Sequence, residues 1–155
     1  MKTILDAIRS YGYRTKMREF VSAISDGKLE DFRNLLIGLR KEEDFLDASS
    51  MLLGVSCSDT SDFYYLEELL SCGLDPNRSN SFGIYPLHIA VENGKLDAVK
   101  LLLSYGADPN VRDSNGVTPL HISYSYDGLA EISDLLIRNG ANPNLRDNIG
   151  KRYLM

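Results

Sequence analysis

The residues of this sequence that could act as nucleophiles or metal ligands are few and widely spaced. Its only cysteines and histidines follow the pattern C-x14-C-x15-H-x32-H, formed by Cys57, Cys72, His88 and His121. A structural zinc site needs ligand pairs separated by only a few residues, and a dithiol redox centre needs a C-x-x-C spacing. Neither spacing is present. The sequence therefore predicts no metal site, no cofactor and two reduced cysteines.

Other catalytic patterns are incomplete. The Gly-Lys pairs that begin at Gly27, Gly94 and Gly150 lack both the earlier glycine and the following Ser or Thr of a phosphate-binding loop. Adjacent carboxylates such as Glu67 and Glu68 point about 100° apart around a helix, so they cannot converge on one substrate bond. The sequence predicts a protein that is not an enzyme.

Composition narrows the class of protein further. The 155 residues are 43% hydrophobic and 25% charged, which is typical of a globular protein, and the net charge is −5. Because a mildly acidic chain has no basic field to attract phosphate backbones, nucleic acid is not expected as a partner. No segment approaches the roughly 20 apolar residues that span a bilayer, and Asp6 and Arg9 interrupt any secretory leader. We expect a cytoplasmic protein.

The elements that hold these residues repeat along the chain. Segment 83–88 recurs as segment 116–121, with Gly, Pro and His at the same places. Segment 73–77 recurs at the same interval as 106–110, and again as 140–144 after an interval that is longer by a single position. The interval is 33 residues in the first two cases and 34 in the last. A period of this length is typical of architectures in which one repeat unit stacks on the next.

Each unit is predicted to contain two antiparallel helices. Pro86 favours the first turn of a helix, where its missing N–H would have no partner, and we expect this helix to end at Glu92, before a turn at Asn93 and Gly94. A second helix is predicted over Leu96–Ser104, where apolar residues share one face. The extra residue of the following unit is expected near 126–128, between its two helices.

These units resemble a known family. Residues 85–90 read Tyr-Pro-Leu-His-Ile-Ala and residues 118–123 read Thr-Pro-Leu-His-Ile-Ser. Both resemble the Thr-Pro-Leu-His-x-Ala signature of ankyrin repeats, and residues 101–110 resemble the end of their second helix. The resemblance implies an all-α fold: an ankyrin-repeat solenoid of helix-turn-helix units with β-hairpin-like loops.

The resemblance also implies a role for the two histidines. In this family the imidazole ties the loop of one repeat to the next, which we expect of His88 and His121. Thr118 can supply the hydroxyl that usually partners this histidine. Tyr85 stands at that position in the earlier repeat, so the hydroxyl bond is left open there.

Weaker similarity extends the array toward the N-terminus. Segment 26–36 mirrors segment 93–103, about two periods later, which predicts an earlier helix pair over Met17–Leu39. Ser50–Cys57 and Asp62–Cys72 are predicted as the helices of a degenerate unit. The predicted organisation is an N-terminal capping segment, four repeats and a truncated C-terminal end, at residues 1–16, 17–46, 47–79, 80–112, 113–146 and 147–155. An alternative for the basic segment 1–16 is contact with an anionic membrane.

The resemblance implies that the concave surface, made of loop tips and first helices, binds another protein. Phe82 and Ile84 stand out as an exposed apolar pair suited to anchoring an interface, although Phe82 could instead fold back onto the neighbouring tip. For Tyr126, contact with a partner and packing at the edge of the core are equally favoured by the sequence. The third tip is expected at Asn148 and Ile149. The candidate contact residues are Ser81, Phe82, Ile84, Ser114, Asn115 and Val117 in the tips, and Glu92, Asn93, Ser125 and Tyr126 on the first helices.

Charge offers a second indication of the partner. Residues 42–75 contain nine carboxylates and no Lys or Arg, a distribution that would attract a basic protein surface; the alternative is a set of solvated helix faces. We expect a protein that is monomeric when free and binds a partner protein, as an inhibitor or immunity-type protein for a basic partner. The alternative is an adaptor or host-directed effector that links two partners, in which case it would be translocated into a host cell.

Overall fold

The computed structural model describes residues 19, 22–23, 26, 28–39, 64–80 and 82–152. These residues contain helices and no strand, so the all-α prediction is confirmed. In chain order the helices are α1 Leu29–Leu39, α2 Tyr64–Ser71, α3 Pro86–Glu92, α4 Leu96–Ser104, α5 Pro119–Ser125 and α6 Ala130–Arg138. The bounds predicted for the two helices of the clearest repeat match α3 and α4.

Several predictions fall outside this part of the chain. The capping segment 1–16, the degenerate unit's first helix at Ser50–Cys57 and the tip residue Ser81 are not among the described residues. The bounds of the repeats therefore stay a prediction. Cys57 is also outside, whereas Cys72 is a half-buried free thiol.

The helices stack in two rows. The first helices of neighbouring repeats, α3 and α5, pack on each other, and α2, α4 and α6 pack in succession as the second helices. Helix α1 packs on α2 at the N-terminal end of this second row. Because each helix packs on its neighbours in the stack, the array has the one-dimensional organisation of a solenoid.

The core is made of equivalent apolar residues, one from each repeat. They lie on the second helices at the positions that the periodic pattern predicts and are almost completely buried. Burying each such aliphatic side chain stabilises the fold by about 1.5–3 kcal/mol, so neighbouring repeats supply most of each other's core. The equivalent positions are Leu69, Leu102 and Leu136; Leu66 and Val99 form a second pair, and α6 has Ser133 at their position with the neighbouring Ile132 buried.

The extra residue of the last unit lies where it was expected. The connection from α5 to α6 comprises residues 126–129, whereas that from α3 to α4 comprises residues 93–95. A surface turn between two helices can accept one more residue without moving either helix. The stacking of α4 on α6 is accordingly preserved.

Two asparagine side chains join successive repeats. The Asn77 Oδ1 accepts from the Asp108 N–H (2.7 Å) and its Nδ2 donates to the Gly106 carbonyl (2.8 Å). Asn110 repeats both bonds one unit later, to the Asn142 N–H (2.7 Å) and the Gly140 carbonyl (2.9 Å). Each amide therefore fixes the spacing of two neighbouring units through a donor and an acceptor at once.

Asn110→Ala should lower the free energy of unfolding by about 1–2 kcal/mol, because two bonds between repeats are lost. Asn139→Ala is the matched control, since the Asn139 Nδ2 bonds only to the Leu135 carbonyl of its own helix (2.8 Å). We expect the control to cost less than about 0.5 kcal/mol in urea unfolding. Equal losses for the two variants would contradict the role assigned to Asn110.

Candidate protein-binding face

Two buried histidines hold each loop against the next. The His88 Nε2 lies 2.9 Å from the Val117 carbonyl, and the His121 Nε2 lies 3.1 Å from the Leu145 carbonyl. In both residues the Nδ1 accepts from a backbone N–H three residues earlier. The Nε2 must therefore carry the proton and donate it to the carbonyl. This arrangement confirms that the histidines tie neighbouring repeats together.

The partner of the histidine differs between the two repeats. The Thr118 Oγ1 lies 3.0 Å from the His121 Nδ1 and accepts from the His121 N–H at 3.3 Å. Tyr85 makes no such side-chain cap bond, and its ring lies beside the imidazole of His88 with 5.7 Å between centroids. The hydroxyl bond left open by the sequence is thus present at Thr118 and replaced by ring packing at Tyr85.

Burial also affects the acid–base behaviour of His88. Desolvation lowers the pKa of its imidazole from the ordinary value of 6.5, and the Val117 carbonyl and the charge of Asp113 offset only part of this effect. A proton added at Nδ1 would also face the Tyr85 N–H, which Nδ1 now accepts. Neutral His88 is therefore part of the folded structure.

Three loops of the stack share one geometry, and we call the loops at 80–84, 113–117 and 147–151 the tip row. Each begins with Asn80, Asp113 or Asp147, whose Oδ1 accepts from the N–H groups two and four residues later at 2.8–3.1 Å. The N–H of the same residue donates to the carbonyl four residues later. Each tip is closed by hydrogen bonds between its own residues.

Neighbouring tips are packed closely. The Asn148 N–H donates to the Asn115 carbonyl (2.9 Å), and the Asn148 Nδ2 donates to the Ser114 carbonyl (3.0 Å). A Cβ at Gly116, whose φ is 76°, would lie 3.0 Å from the Asn148 backbone nitrogen. Glycine is required there both for its backbone conformation and for the close approach of the next tip.

The apolar pair predicted at the first tip is only partly exposed. Phe82 exposes 57% of its surface, as expected, but Ile84 is half-buried and not exposed. Ile84 and its equivalent Val117 are the residues whose N–H and carbonyl close their loops, so they lie where the tip joins the first helix. The expectation that Ile84 is an exposed aliphatic is therefore wrong.

The remaining candidates lie on the surface, at the tips and at the ends of the first helices. Tyr126 exposes 53% of its surface, whereas Tyr124 is half-buried against the core. Ser125 and Asn93 each bond a carbonyl of their own helix, to His121 (2.9 Å) and Ile89 (2.8 Å) respectively. Tyr126 is therefore not packed in the core, and its contact with a partner stays a prediction. The exposed candidates are Phe82, Glu92, Asn93, Ser114, Asn115, Ser125 and Tyr126.

One residue of the third tip is more exposed than either Phe82 or Tyr126. Ile149 exposes 85% of its surface and occupies the place in its loop that Phe82 occupies in the first tip. The repeat register located Ile149 at a tip but gave no reason to select it as a contact residue. Its exposure makes it the most open large apolar side chain among the described residues.

No metal-binding group of three or more His, Cys, Asp or Glu residues is found within the described ranges. In the same part of the chain, no helix is long and apolar enough to cross a bilayer.

Stacked helical hairpins, joined by buried histidines and closed loop tips, define a repeat solenoid. A family model described as Ankyrin repeats (3 copies) matches residues 53–147, which is more than half of the chain. The chain belongs to the ankyrin repeat family, as its signature sequences predicted. Ankyrin repeats are modules of protein–protein interaction. A search of curated proteins found no match to this chain.

Replacing Gly116 with Ala should destabilise the fold more than the matched replacement of Gly128. Both glycines have positive φ values, 76° and 87°, so both alanines carry a backbone cost of roughly 1–2 kcal/mol. A Cβ at Gly128 meets nothing within 4 Å, whereas one at Gly116 meets the next tip. We expect an additional loss of about 1 kcal/mol for Gly116→Ala in urea unfolding. Equal losses would show that the tips do not pack closely.

Stability should fall as the pH drops below 6.5, the ordinary pKa of histidine. The pKa of His88 is lowered in the folded state, so the unfolded chain binds more protons over this range and is favoured by acid. The contribution is fully present above the ordinary pKa and is lost as the pH falls toward the folded-state pKa, by at most about 1.4 kcal/mol per pH unit. Urea unfolding between about pH 7.5 and 5.5 measures this slope. A His88→Gln variant with the wild-type slope would contradict the assignment.

Proposed function

We propose that this chain is a non-enzymatic recognition module that binds one partner protein through its tip row and the ends of its first helices. The observation that supports this most is a set of large apolar side chains left exposed on that surface. Phe82, Tyr126 and Ile149 expose 57%, 53% and 85% of their surface. Exposed aromatic and aliphatic residues on a rigid frame are typical of interface anchors.

The rigidity of the tips supports the same proposal. Binding costs free energy when loops and side chains must be ordered, and a backbone that is already fixed avoids part of that cost. The tip row is fixed by its internal bonds at Asp113 and Asp147 and by the bonds of Asn148 to the preceding tip. A partner would therefore meet a preformed surface.

A basic partner is supported less well than the sequence suggested. Most of the acidic stretch 42–75 lies outside the described residues. Within them, Glu68 forms an ion pair with Arg33 of α1, and the Asp75 Oδ1 accepts from the Asn77 N–H at 2.8 Å. Because these two carboxylates form bonds within the chain, the proposed binding function rests on the tip row and not on the acidic stretch.

An inhibitor or immunity-type role requires only this one surface, and we propose it as the primary role. The adaptor or effector alternative requires a second, separate surface. The observation that favours the alternative is a pair of exposed apolar side chains on the second helices' row, Tyr105 (40% exposed) and Ile137 (37% exposed). The adaptor role would be established if two different proteins were captured together from the native cell and the variant Tyr105→Ala with Ile137→Ala captured only one of them.

Phe82→Ala with Ile149→Ala should weaken binding of the partner captured from the native cell by about 2 kcal/mol, or roughly 30-fold in Kd, because two anchors are truncated. Their exposure predicts a change of less than about 0.5 kcal/mol in the free energy of unfolding. Titration calorimetry with the purified partner measures the first quantity and urea unfolding the second.

Tyr64→Ala is the matched control for this experiment. Tyr64 is 58% exposed, close to the 57% of Phe82, but it lies at the start of α2, on the second helices' row. We expect its replacement to leave the affinity unchanged. An affinity that depends on Tyr64 and not on Phe82 and Ile149 would place the binding surface on the other row of helices.

A further inference from the structure

The C-terminal end of the tip row carries three exposed arginines, which we call the arginine edge: Arg112, Arg146 and Arg152. Arg112 and Arg146 come immediately before the second and third tips, and Arg152 follows the third. The Arg112 Nη2 donates to the Arg146 carbonyl (2.9 Å) and lies 3.4 Å from the Asn148 Oδ1. The arginines therefore lie around the hairpin of the third tip.

Within the part of the chain that the structure describes, no carboxylate neutralises any of the three arginines. The Arg146 Nη1 donates to the Gly150 carbonyl (2.9 Å), and the Arg152 Nη1 donates to the Asn144 Oδ1 (3.4 Å). Their partners there are neutral oxygens, and every ion pair found among the described residues lies elsewhere, on Lys28, Arg33 and Lys100. The three guanidinium groups thus form no ion pair among the described residues, although the chain has 22 acidic residues against 17 basic ones.

The carboxylates nearest in sequence are engaged inside the tips. Asp113 and Asp147 each accept two backbone N–H bonds through Oδ1, and Asp147 is buried. They cannot leave these positions without opening the loops. Each arginine carries five N–H donors and uses only one or two of them here, so the arginine edge keeps charge and donors that match a carboxylate in bidentate geometry.

We infer that the arginine edge binds an acidic segment of the partner protein, with Ile149 contacting an apolar side chain of the same segment. Ile149 is 85% exposed in the loop between Arg146 and Arg152, and an apolar contact inside a cationic patch suits a peptide better than a phosphate backbone. This inference rests on the proposed function, because it names the chemistry of the partner at the same tip row. The partner segment inferred here is acidic, whereas the acidic stretch 42–75 led to the expectation of a basic partner.

A random dodecapeptide display library, selected on the immobilised chain, tests this inference before the partner is identified. We expect the enriched peptides to be net negative and to contain an apolar residue. A fluorescein-labelled enriched peptide should then bind Arg146→Glu with Arg152→Glu at least about tenfold more weakly than wild type in fluorescence anisotropy, since two attractive contacts become repulsive. Arg146→Gln with Arg152→Gln should show a smaller loss, and this variant serves if the charge reversal impairs folding.

Lys28→Glu with Lys100→Glu is the matched control, because it changes the net charge equally at two exposed lysines away from the tip row. We expect it to change the peptide Kd less than about twofold. Enriched peptides that are neutral or basic, equal losses in the control, or the absence of any enriched peptide would overturn the inference. Tighter binding of a labelled random single-stranded DNA 20-mer would overturn it as well. The proposed function is tested separately, by the effect of Phe82→Ala with Ile149→Ala on the affinity for the intact partner.

Discussion

The structure depends on hydrogen bonds that run from the side chains of one repeat to the backbone of the next. His88 and His121 reach the carbonyls of Val117 and Leu145 from buried positions, and Asn110 reaches the following unit with a donor and an acceptor. A buried carbonyl without a partner is costly, so each unit satisfies its polar groups only when its neighbour is in place. Apolar packing between the helices supplies most of the free energy, and these bonds determine the register in which the units pack.

A surface fixed in this way has consequences for binding. His88 holds Val117, the last residue of the second tip, and His121 holds Leu145, two residues before the third tip, so the positions of these two tips are coupled to the stack. The tips are also closed internally and bonded to each other through Asn148. A row of rigid loops can display apolar side chains such as Phe82 and Ile149 without losing shape, and it spends little free energy on ordering when a partner binds. The same fixed hairpin gathers the arginine edge at one end of the row.

The periodic features of this fold could be predicted from the sequence, whereas most contacts between repeats, other than those of the two histidines, could not. The repeat period aligns Pro86 with Pro119 and His88 with His121, so the helix starts followed from the register. The histidine bonds followed from the resemblance to ankyrin repeats. The half-burial of Ile84 and the exposure of Ile149 depend on how a tip meets its neighbour, which composition does not report. Asn77 and Asn110 looked like ordinary turn formers because their partners lie about thirty residues away. A count of carboxylates also missed that Glu68 and Asp75 are used inside the chain.

In the complex that we propose, one partner protein covers the tip row and the ends of the first helices. Amide chemical-shift mapping by NMR, with the captured partner added to the isotope-labelled chain, tests this most directly. The largest changes are expected at 82–84, 113–117, 125–126 and 147–152, with little change along α2, α4 and α6. Changes confined to the second helices, with the tips unaffected, would contradict the proposed complex.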